Sequence, residues 1–201
     1  MSHDWNDKEG KVEWLESERL IDDFFVVDRL RLKHEMFNGG MTVPIRRFLL
    51  QRPDAVCAVV VNTDRDIMYF VRQFRIGPAA KGDRPWMTEL AAGVIDEGET
   101  AQHAILREIR EELGFAADQA EQILKFYPSS AIISERIFLF YVEVTDNQRI
   151  SAGGGIDAEH EDLEIVEVPL EEVGEFVEKS DMTDAKTLIG LQWYLAAKDG
   201  A

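Results

Sequence analysis

Hydrophobic and polar residues alternate over much of the first third of the chain, which predicts β-strands rather than helices. Two segments rich in β-branched residues, Phe24 to Lys33 and Met41 to Leu50, are separated by Asn38-Gly39-Gly40, a strong hairpin signal. We expect these two segments to pair as a small antiparallel sheet near the N-terminus.

A second pair of strands is predicted immediately afterwards. Ala55 to Asn62 and Ile67 to Phe74 flank the polar turn at 63–66. Pro53-Asp54 lies between the two strand pairs and marks a domain boundary. The predicted organisation is an N-terminal β extension over residues 1–53, followed by a larger domain over residues 54–201.

The middle of the chain has helical periodicity instead. Apolar side chains recur every four residues at Ala101, Ile105, Ile109 and Leu113 and would form one stripe. Gly98 and Thr100 are placed as a turn and an N-cap before this helix, and Gly114 is placed to end it. Beyond it, the pattern predicts strands at 137–144 and 163–168 and helices at 170–179 and 184–198. Strands alternating with helices in this way indicate an α/β sandwich.

Composition narrows the function classes. The 201 residues are 45% hydrophobic, which is enough to bury a sizeable core. The net charge of -17 argues against binding to nucleic acid, because such binding depends on neutralising phosphates with Lys and Arg. The longest apolar run, Ala55 to Val61, is too short to cross a bilayer, and MSHDWNDKEG at the N-terminus lacks the apolar core of a secretion signal. We therefore expect no nucleic acid or membrane partner and a cytoplasmic location. The only cysteine, Cys57, is expected to be a buried thiol.

Three carboxylates share an arc of the predicted central helix. Glu108 and Glu112 are four residues apart, with Glu111 beside them. Like charges at this spacing cost about 0.2–0.5 kcal/mol per pair, whereas a hard divalent cation bound through oxygens would turn the repulsion into affinity. Arg107 is placed to pair with Glu99 and so to tie the preceding loop to the helix. Taken by itself, the cluster is also compatible with a solvated acidic helix in an acidic protein.

A longer pattern decides between these interpretations. The segment GVIDEGETAQHAILREIREELGF, from Gly93 to Phe115, contains G-x5-E-x7-R-E-[apolar]-x-E-E-x-G-[apolar] at every fixed position. It resembles the Nudix box of hydrolases that cleave nucleoside diphosphates linked to another group. The resemblance implies a Nudix-type α/β/α sandwich with a mixed sheet. It also implies a loop-helix-loop motif that holds magnesium or manganese on the diphosphate of the substrate.

The same resemblance implies roles for individual residues. Glu108, Glu111 and Glu112 correspond to the metal-binding glutamates, and Glu111 is also assigned to catalysis. A backbone carbonyl before the box, that of Ala92, corresponds to a further ligand. The remaining fixed positions, which hold the motif together, are Gly93, Glu99, Arg107 and Gly114.

Segments outside the box resemble the ADP-ribose pyrophosphatase and GDP-mannose hydrolase branch of that family. They are VRQFRIG at 71–77, TELAAG at 88–93, DNQRISAGGG at 146–155 and DAKTLIGLQWYL at 184–195. This likeness implies a homodimer whose N-terminal strands are exchanged with the partner. The alternative is an ordinary hairpin packed on its own subunit.

The branch also implies residues for substrate and catalysis. In the acidic stretch 157–162, Glu159 corresponds to the general base and Glu161 to another metal ligand, although the composition alone indicates only an acidic loop. Arg75 and Glu135 correspond to substrate contacts, with a structural ion pair as the alternative for Arg75. One segment departs from the relatives, which have a proline followed by two glycines upstream of this glutamate, where YPSSAIISER has Ser130, Ala131 and Ile132.

These observations predict a magnesium-dependent or manganese-dependent hydrolase of a nucleoside diphosphate sugar. ADP-ribose, cleaved to AMP and ribose 5-phosphate, is the first expected substrate, and GDP-mannose is the second. An alternative of another class is a Nudix-fold regulator that binds a nucleotide sugar without cleaving it.

Overall fold

The computed structural model describes residues 11–155, 162–179 and 182–199. The chain divides into two compact units at Pro53 and Asp54. The first unit contains the residues up to 53 together with 129–135, and the second contains 54–128 and the chain from 136 onward. The short segment 129–135 therefore belongs with the N-terminal residues, which its position in the sequence does not suggest.

The first unit is built on a three-stranded antiparallel sheet in the order β1-β2-β3. Its strands are β1 (Val12–Asp22), β2 (Val26–His34) and β3 (Ile45–Gln51). The predicted hairpin is present as the β2–β3 pair, with boundaries shifted by a few residues. In the turn between them Gly39 and Gly40 have φ values of 85° and 77°. Glycine adopts such left-handed conformations without steric cost.

The sequence pattern did not predict β1, and the structure shows the reason. All but one of its side chains are exposed, so the strand has no apolar face that alternation could reveal. Its pairing with β2 instead places opposite charges across the strands, as in the ion pairs Arg31–Glu16 at 2.7 Å and Lys33–Glu13 at 3.1 Å. Cross-strand charge pairs of this kind support a sheet modestly.

The second unit contains a seven-stranded mixed sheet. Its main path runs β10-β5-β4-β9-β8, with β6 paired to β5 and β7 paired to β4. The β4–β9 pair is parallel and the others are antiparallel. The strands are β4 (Ala55–Asn62), β5 (Ile67–Phe74), β6 (Trp86–Glu89), β7 (Ala91–Val94), β8 (Glu121–Phe126), β9 (Ile137–Val144) and β10 (Glu164–Pro169).

Helices cover both faces of this sheet, and the central strand β4 therefore has buried side chains on each face. Val56, Ala58 and Val60 pack with the apolar stripe of α2 (Ala101–Glu108) and its continuation. Cys57, Val59 and Val61 pack with residues of α3 (Val173–Lys179) and α4 (Ala185–Asp199). The predicted α/β sandwich with a mixed sheet and a small antiparallel N-terminal sheet is confirmed.

Several short elements were not predicted. Strands β6 and β7 have only four residues each, and α1 (Ile76–Lys81) is a helix of six residues with no buried side chain. Such lengths are too short for a periodic pattern. The predicted helix start at Leu170 was wrong, because the Leu170 N–H donates to Asp66 O at 2.8 Å and the helix begins only at Val173. No helix among the described residues is both long and apolar enough to cross a membrane.

Candidate functional site

The helix that carries the glutamate cluster begins and ends at the residues that the sequence indicates. Thr100 is the N-cap, and its side chain accepts a hydrogen bond from the His103 N–H at 3.2 Å. Helix α2 passes without a break into a π-helical turn over Ile109–Leu113, which ends at Gly114 with φ 79°. The apolar stripe is confirmed, since Ile105, Ile109 and Leu113 are fully buried.

Arg107 is the electrostatic centre of the cluster. Its Nε and Nη2 donate to the two carboxylate oxygens of Glu99 at 3.2 and 3.1 Å. Its Nη1 donates to Glu108 at 2.7 Å and to Glu111 at 3.1 Å. The hydrogen bond with Glu99 is the largest cause that raises the pKa of Arg107 above its ordinary value, and the same bond lowers the pKa of Glu99. One guanidinium therefore positions three carboxylates.

Glu108 and Glu112 point inward against strand β7. The two residues are 8% and 1% exposed. The Ala92 N–H donates to the Glu112 Oε2 at 3.0 Å. A Cβ at Gly93 would lie 1.8 Å from the Glu108 Oε1, so the carboxylate occupies the space that any other residue at this position would fill. The structure thereby gives a steric reason for glycine at 93 and places Ala92 beside Glu112.

The chemistry of this donor set fits a hard divalent cation. Glu108, Glu111 and Glu112 offer only carboxylate oxygens, the ligands that Mg²⁺ and Ca²⁺ prefer. Across the described residues, no three His, Cys, Asp or Glu side chains are already arranged as a complete cation site. In this conformation Glu108 and Glu111 are turned toward the Arg107 guanidinium, which supplies the positive charge.

An open cavity of about 1130 Å³ runs along the outer side of this helix. Arg107 and Glu111 lie in its wall. Its volume is slightly above the range of about 300–1000 Å³ that is usual for small-ligand pockets. The other lining residues come from the helix, from the chain just after it and from a later segment. They are Leu106 and Arg110, Ala116 and Ala117, and residues 150–155.

Arg75 is bound by the buried carboxylate of Glu89, a contact that the sequence pattern does not indicate. Its Nε and Nη2 donate to Glu89 at 2.9 and 2.7 Å, and Lys186 donates to the same carboxylate at 2.6 Å. Glu89 is 1% exposed. Burial acts to raise the pKa of Glu89, but the hydrogen bonds and charges of Arg75 and Lys186 outweigh it and lower the pKa below its ordinary value. The structural ion pair considered for Arg75 is present, and its contact with substrate stays a prediction.

The other expected site residues fall in two places. Glu135 belongs to the first unit, where Arg52 pairs with it at 3.1 Å, and its contact with substrate stays a prediction. Glu159 and Glu161 lie outside the described residues. Glu89 and Lys186 lie in TELAAG and DAKTLIGLQWYL, two of the segments that resemble the ADP-ribose pyrophosphatase branch. That resemblance did not assign a role to either residue.

The sequence of this chain matches a family model and several known proteins. A family model described as NUDIX domain matches residues 51–189. The ADP-ribose pyrophosphatase of Escherichia coli K12 is 32% identical over 182 residues, which cover 90% of this chain and 87% of that protein. The ADP-ribose pyrophosphatase of Haemophilus influenzae is 31% identical over 90% of this chain and 85% of its own.

One further relative and one solved structure are similar to this chain over most of its length. The GDP-mannose pyrophosphatase of Enterobacter sp. (strain 638) is 29% identical over 184 residues, which cover 91% of this chain and 94% of that protein. A solved structure titled "Crystal structure of ADP compounds hydrolase" superposes with a TM-score of 0.72 at 23% identity and covers 94% of this chain and 95% of its own. At that identity the likeness shows the fold alone.

Proposed function

This chain belongs to the NUDIX family, and we propose that it is a metal-dependent pyrophosphohydrolase. The proposed reaction splits the diphosphate of a nucleoside diphosphate sugar. The observation that carries the proposal is the complete Nudix box, with Glu108 and Glu112 buried against β7 and with Glu99, Glu108 and Glu111 on one guanidinium. A solvated acidic helix would not bury two of its carboxylates.

A divalent cation, magnesium or manganese, held by Glu108, Glu111 and Glu112 would polarise the phosphoryl oxygens of the substrate. It would also offset the charge of an acidic protein toward an anionic ligand. The Ala92 N–H and Arg107 fix the carboxylates before the cation arrives, which lowers the cost of ordering them. By family resemblance, the Ala92 carbonyl and Glu161 are proposed as further ligands.

The chemical step is hydrolysis. A water oxygen forms a bond to one phosphorus while the bond from that phosphorus to the bridging oxygen breaks, and Glu159 is proposed to take the proton of the water. Glu111 is proposed to assist this step from the helix. Arg75 is proposed to bind the phosphate or ribose, and its bidentate hold on Glu89 supports this role because a pre-oriented guanidinium loses little freedom on binding.

ADP-ribose is the first proposed substrate, with AMP and ribose 5-phosphate as products. Relatives named ADP-ribose pyrophosphatase have 32% identity to this chain, slightly above the 29% of a relative named GDP-mannose pyrophosphatase. The cavity beside Glu111 is large enough for either nucleotide sugar. Glu135 is proposed to contact the substrate.

The active assembly is proposed to be a homodimer with exchanged N-terminal strands. The first unit supports this, because it exposes large apolar side chains at Phe24 (86%), Phe37 (114%) and Val43 (77%). Burial of these side chains against a partner would favour association. Light scattering during size-exclusion chromatography should give twice the chain mass of 22.9 kDa, and Phe37→Glu should lower the dimer fraction. A monomer at all concentrations would contradict the proposal.

Product analysis tests the catalytic proposal. The purified protein is incubated with Mg²⁺ or Mn²⁺ and with ADP-ribose, GDP-mannose, other nucleotide sugars and dinucleotides, and Glu112→Gln serves as the matched control. AMP and ribose 5-phosphate are expected from the native protein, with loss of most activity in the variant. Binding of a nucleotide sugar without turnover would favour the non-cleaving regulator instead.

A further inference from the structure

The segment Ile150–Gly155 runs along the C-terminal end of the glutamate-bearing helix and binds its last carbonyl groups. The Gly154 N–H donates to Glu112 O at 2.8 Å, and the Gly155 N–H donates to Glu111 O at 3.2 Å. The N–H groups of Ile150 and Ser151 both donate to Gly114 O, at 2.8 and 3.3 Å. Carbonyls at a helix end lack partners within the helix, so this segment acts as their cap.

Two glycines allow the backbones to approach this closely. A Cβ at Gly153 would lie 2.5 Å from Glu112 O and 2.7 Å from Leu113 C. A Cβ at Gly114 would lie 2.3 Å from Ser151 O and 2.9 Å from Gly153 N. All four of these neighbours are backbone atoms, which cannot move aside as a flexible side chain can. A side chain at either position would therefore push the segment and the helix end apart.

The helix end that this segment contacts has an uncommon geometry. Residues Ile109–Leu113 form a π-helical turn, and the Gly114 N–H donates to Ile109 O, five residues earlier. Short π turns inside α-helices are rare and often occur at functional sites. Both Glu111 and Glu112 lie in this turn. The side chain of Glu112 is bound by the Ala92 N–H, while its carbonyl is bound by Gly154.

We propose that Gly153 is a positioning residue and that Ile150–Gly155 forms a backbone clamp that holds the π turn in place. The clamp sets where Glu111 and Glu112 point and thereby prepares them to bind a divalent cation. The identity of these two glutamates as metal ligands rests on the proposed function. The clamp itself rests on the hydrogen bonds and close approaches of the described backbone.

Two alanine variants test the clamp against a matched background. Gly153 and Gly82 both have positive φ, 71° and 82°, so alanine is strained at either position. Only Gly153→Ala collides with the glutamate-bearing helix, because a Cβ at Gly82, which follows α1 and lies outside the clamp, meets no atom within 4 Å. Mn²⁺ affinity is measured by electron paramagnetic resonance of the free ion, with no substrate present. Thermal unfolding shows whether each variant is folded.

Gly153→Ala is expected to weaken Mn²⁺ binding by about 10- to 100-fold, the usual effect of losing a group that orients metal ligands. Gly82→Ala is expected to bind Mn²⁺ as the native protein does, although it unfolds at a lower temperature. Equal Mn²⁺ affinity in Gly153→Ala and the native protein would overturn the proposal. Equal weakening in both variants would also overturn it, because backbone strain would then account for the loss.

The native protein offers a second measurement in case Gly153→Ala does not fold. If the clamp and the metal site are coupled, the coupling is reciprocal, and Mg²⁺ must slow hydrogen exchange at the Gly154 amide. Exchange at Gly154 that does not change with Mg²⁺ would refute the clamp. Failure to hydrolyse any nucleotide sugar would refute the proposed function and leave the Mn²⁺ comparison intact, whereas a native protein that binds no Mn²⁺ would overturn both.

Discussion

Arg107 binds the carboxylate of Glu99 through two hydrogen bonds, which its Nε donates at 3.2 Å and its Nη2 at 3.1 Å. Glu99 lies in the loop before the helix and Arg107 lies in the last turn of α2. This bidentate pair, here called the fork, therefore links the loop to the helix. The remaining guanidinium nitrogen reaches Glu108 and Glu111. The geometry of the loop and of the carboxylates proposed to bind the metal thus depends on one side chain.

Replacement of Arg107 by lysine keeps the charge and removes the fork. Lysine presents a single point of contact and cannot bind Glu99 through two parallel bonds while reaching Glu108. We expect kcat/KM and Mg²⁺ affinity to fall about 10- to 100-fold. Arg65→Lys is the control, because Arg65 makes a similar fork with Glu167 at 3.0 and 2.7 Å outside the box. Equal activity in the two variants would contradict the role of Arg107.

Alanine at Gly93 tests the space that Glu108 occupies. The new Cβ would displace the Glu108 carboxylate, whose Oε1 lies 1.8 Å away, yet the side chain can swing aside and the protein should fold. Activity should fall at least about 10-fold. Gly77→Ala is the matched control, since no atom lies within 4 Å of its Cβ and, like Gly93, it has no positive φ. A Gly93→Ala variant with native kcat/KM would contradict this prediction.

Asp54 should make the stability of the protein depend on pH in the acidic range. The hydrogen bond from Arg136 lowers the pKa of Asp54 below its ordinary value of 3.8 and outweighs the effect of burial. A lowered pKa means that the folded state releases this proton more readily than the unfolded state does. The stabilisation is therefore complete above pH 3.8 and is lost as pH falls through the folded pKa.

Urea denaturation between pH 7 and pH 3 measures this effect. The free energy of unfolding of the native protein should fall more steeply below about pH 4 than that of Asp54→Asn, which has no carboxylate to protonate. Identical slopes for the two proteins would show that the Asp54–Arg136 pair does not contribute.

Glu89→Gln removes the carboxylate that Arg75 and Lys186 share, while Lys186 keeps its ion pair with Asp184 at 3.0 Å. Arg75 and Lys186 would remain beside a neutral amide, with Lys186 only 12% exposed. Removing one partner of a buried ion pair costs about 3–5 kcal/mol, and we expect the lower end because Arg75 is 40% exposed. Glu167→Gln is the control, since its pair with Arg65 is exposed and should cost below about 1 kcal/mol. Chemical denaturation of both variants measures the difference.

Cys57 should be chemically inert in the native protein. The residue is fully buried in β4, and burial raises the pKa of its thiol to about 12. The thiolate is the reactive form, so iodoacetamide at pH 8 should not label the folded protein and should label it fully in denaturant. Rapid labelling without denaturant would show that this part of the core opens readily.

The site was predictable to the extent that its contacts are local. Thr100, Arg107, Glu99 and Gly114 lie within one loop and one helix, where caps and i,i+4 neighbours follow from sequence spacing. Strands β4 and β5 were predicted with their observed ends, because their side chains are buried and the turn between them is polar. The family resemblance supplied the chemical roles that spacing alone left open.

The remaining features depend on residues that are distant in the sequence. Lys186 meets Glu89 across 97 positions, and the glycines at 153 and 154 meet the π turn some forty positions before them. Strand β1 has no apolar face, so only its pairing with β2 reveals it. The sequence by itself determined the helix, its caps and its cluster of carboxylates, since these follow from the periodicity of neighbouring residues. Only the tertiary structure decided which carboxylates are buried and how the helix ends, because packing of distant backbone segments sets both.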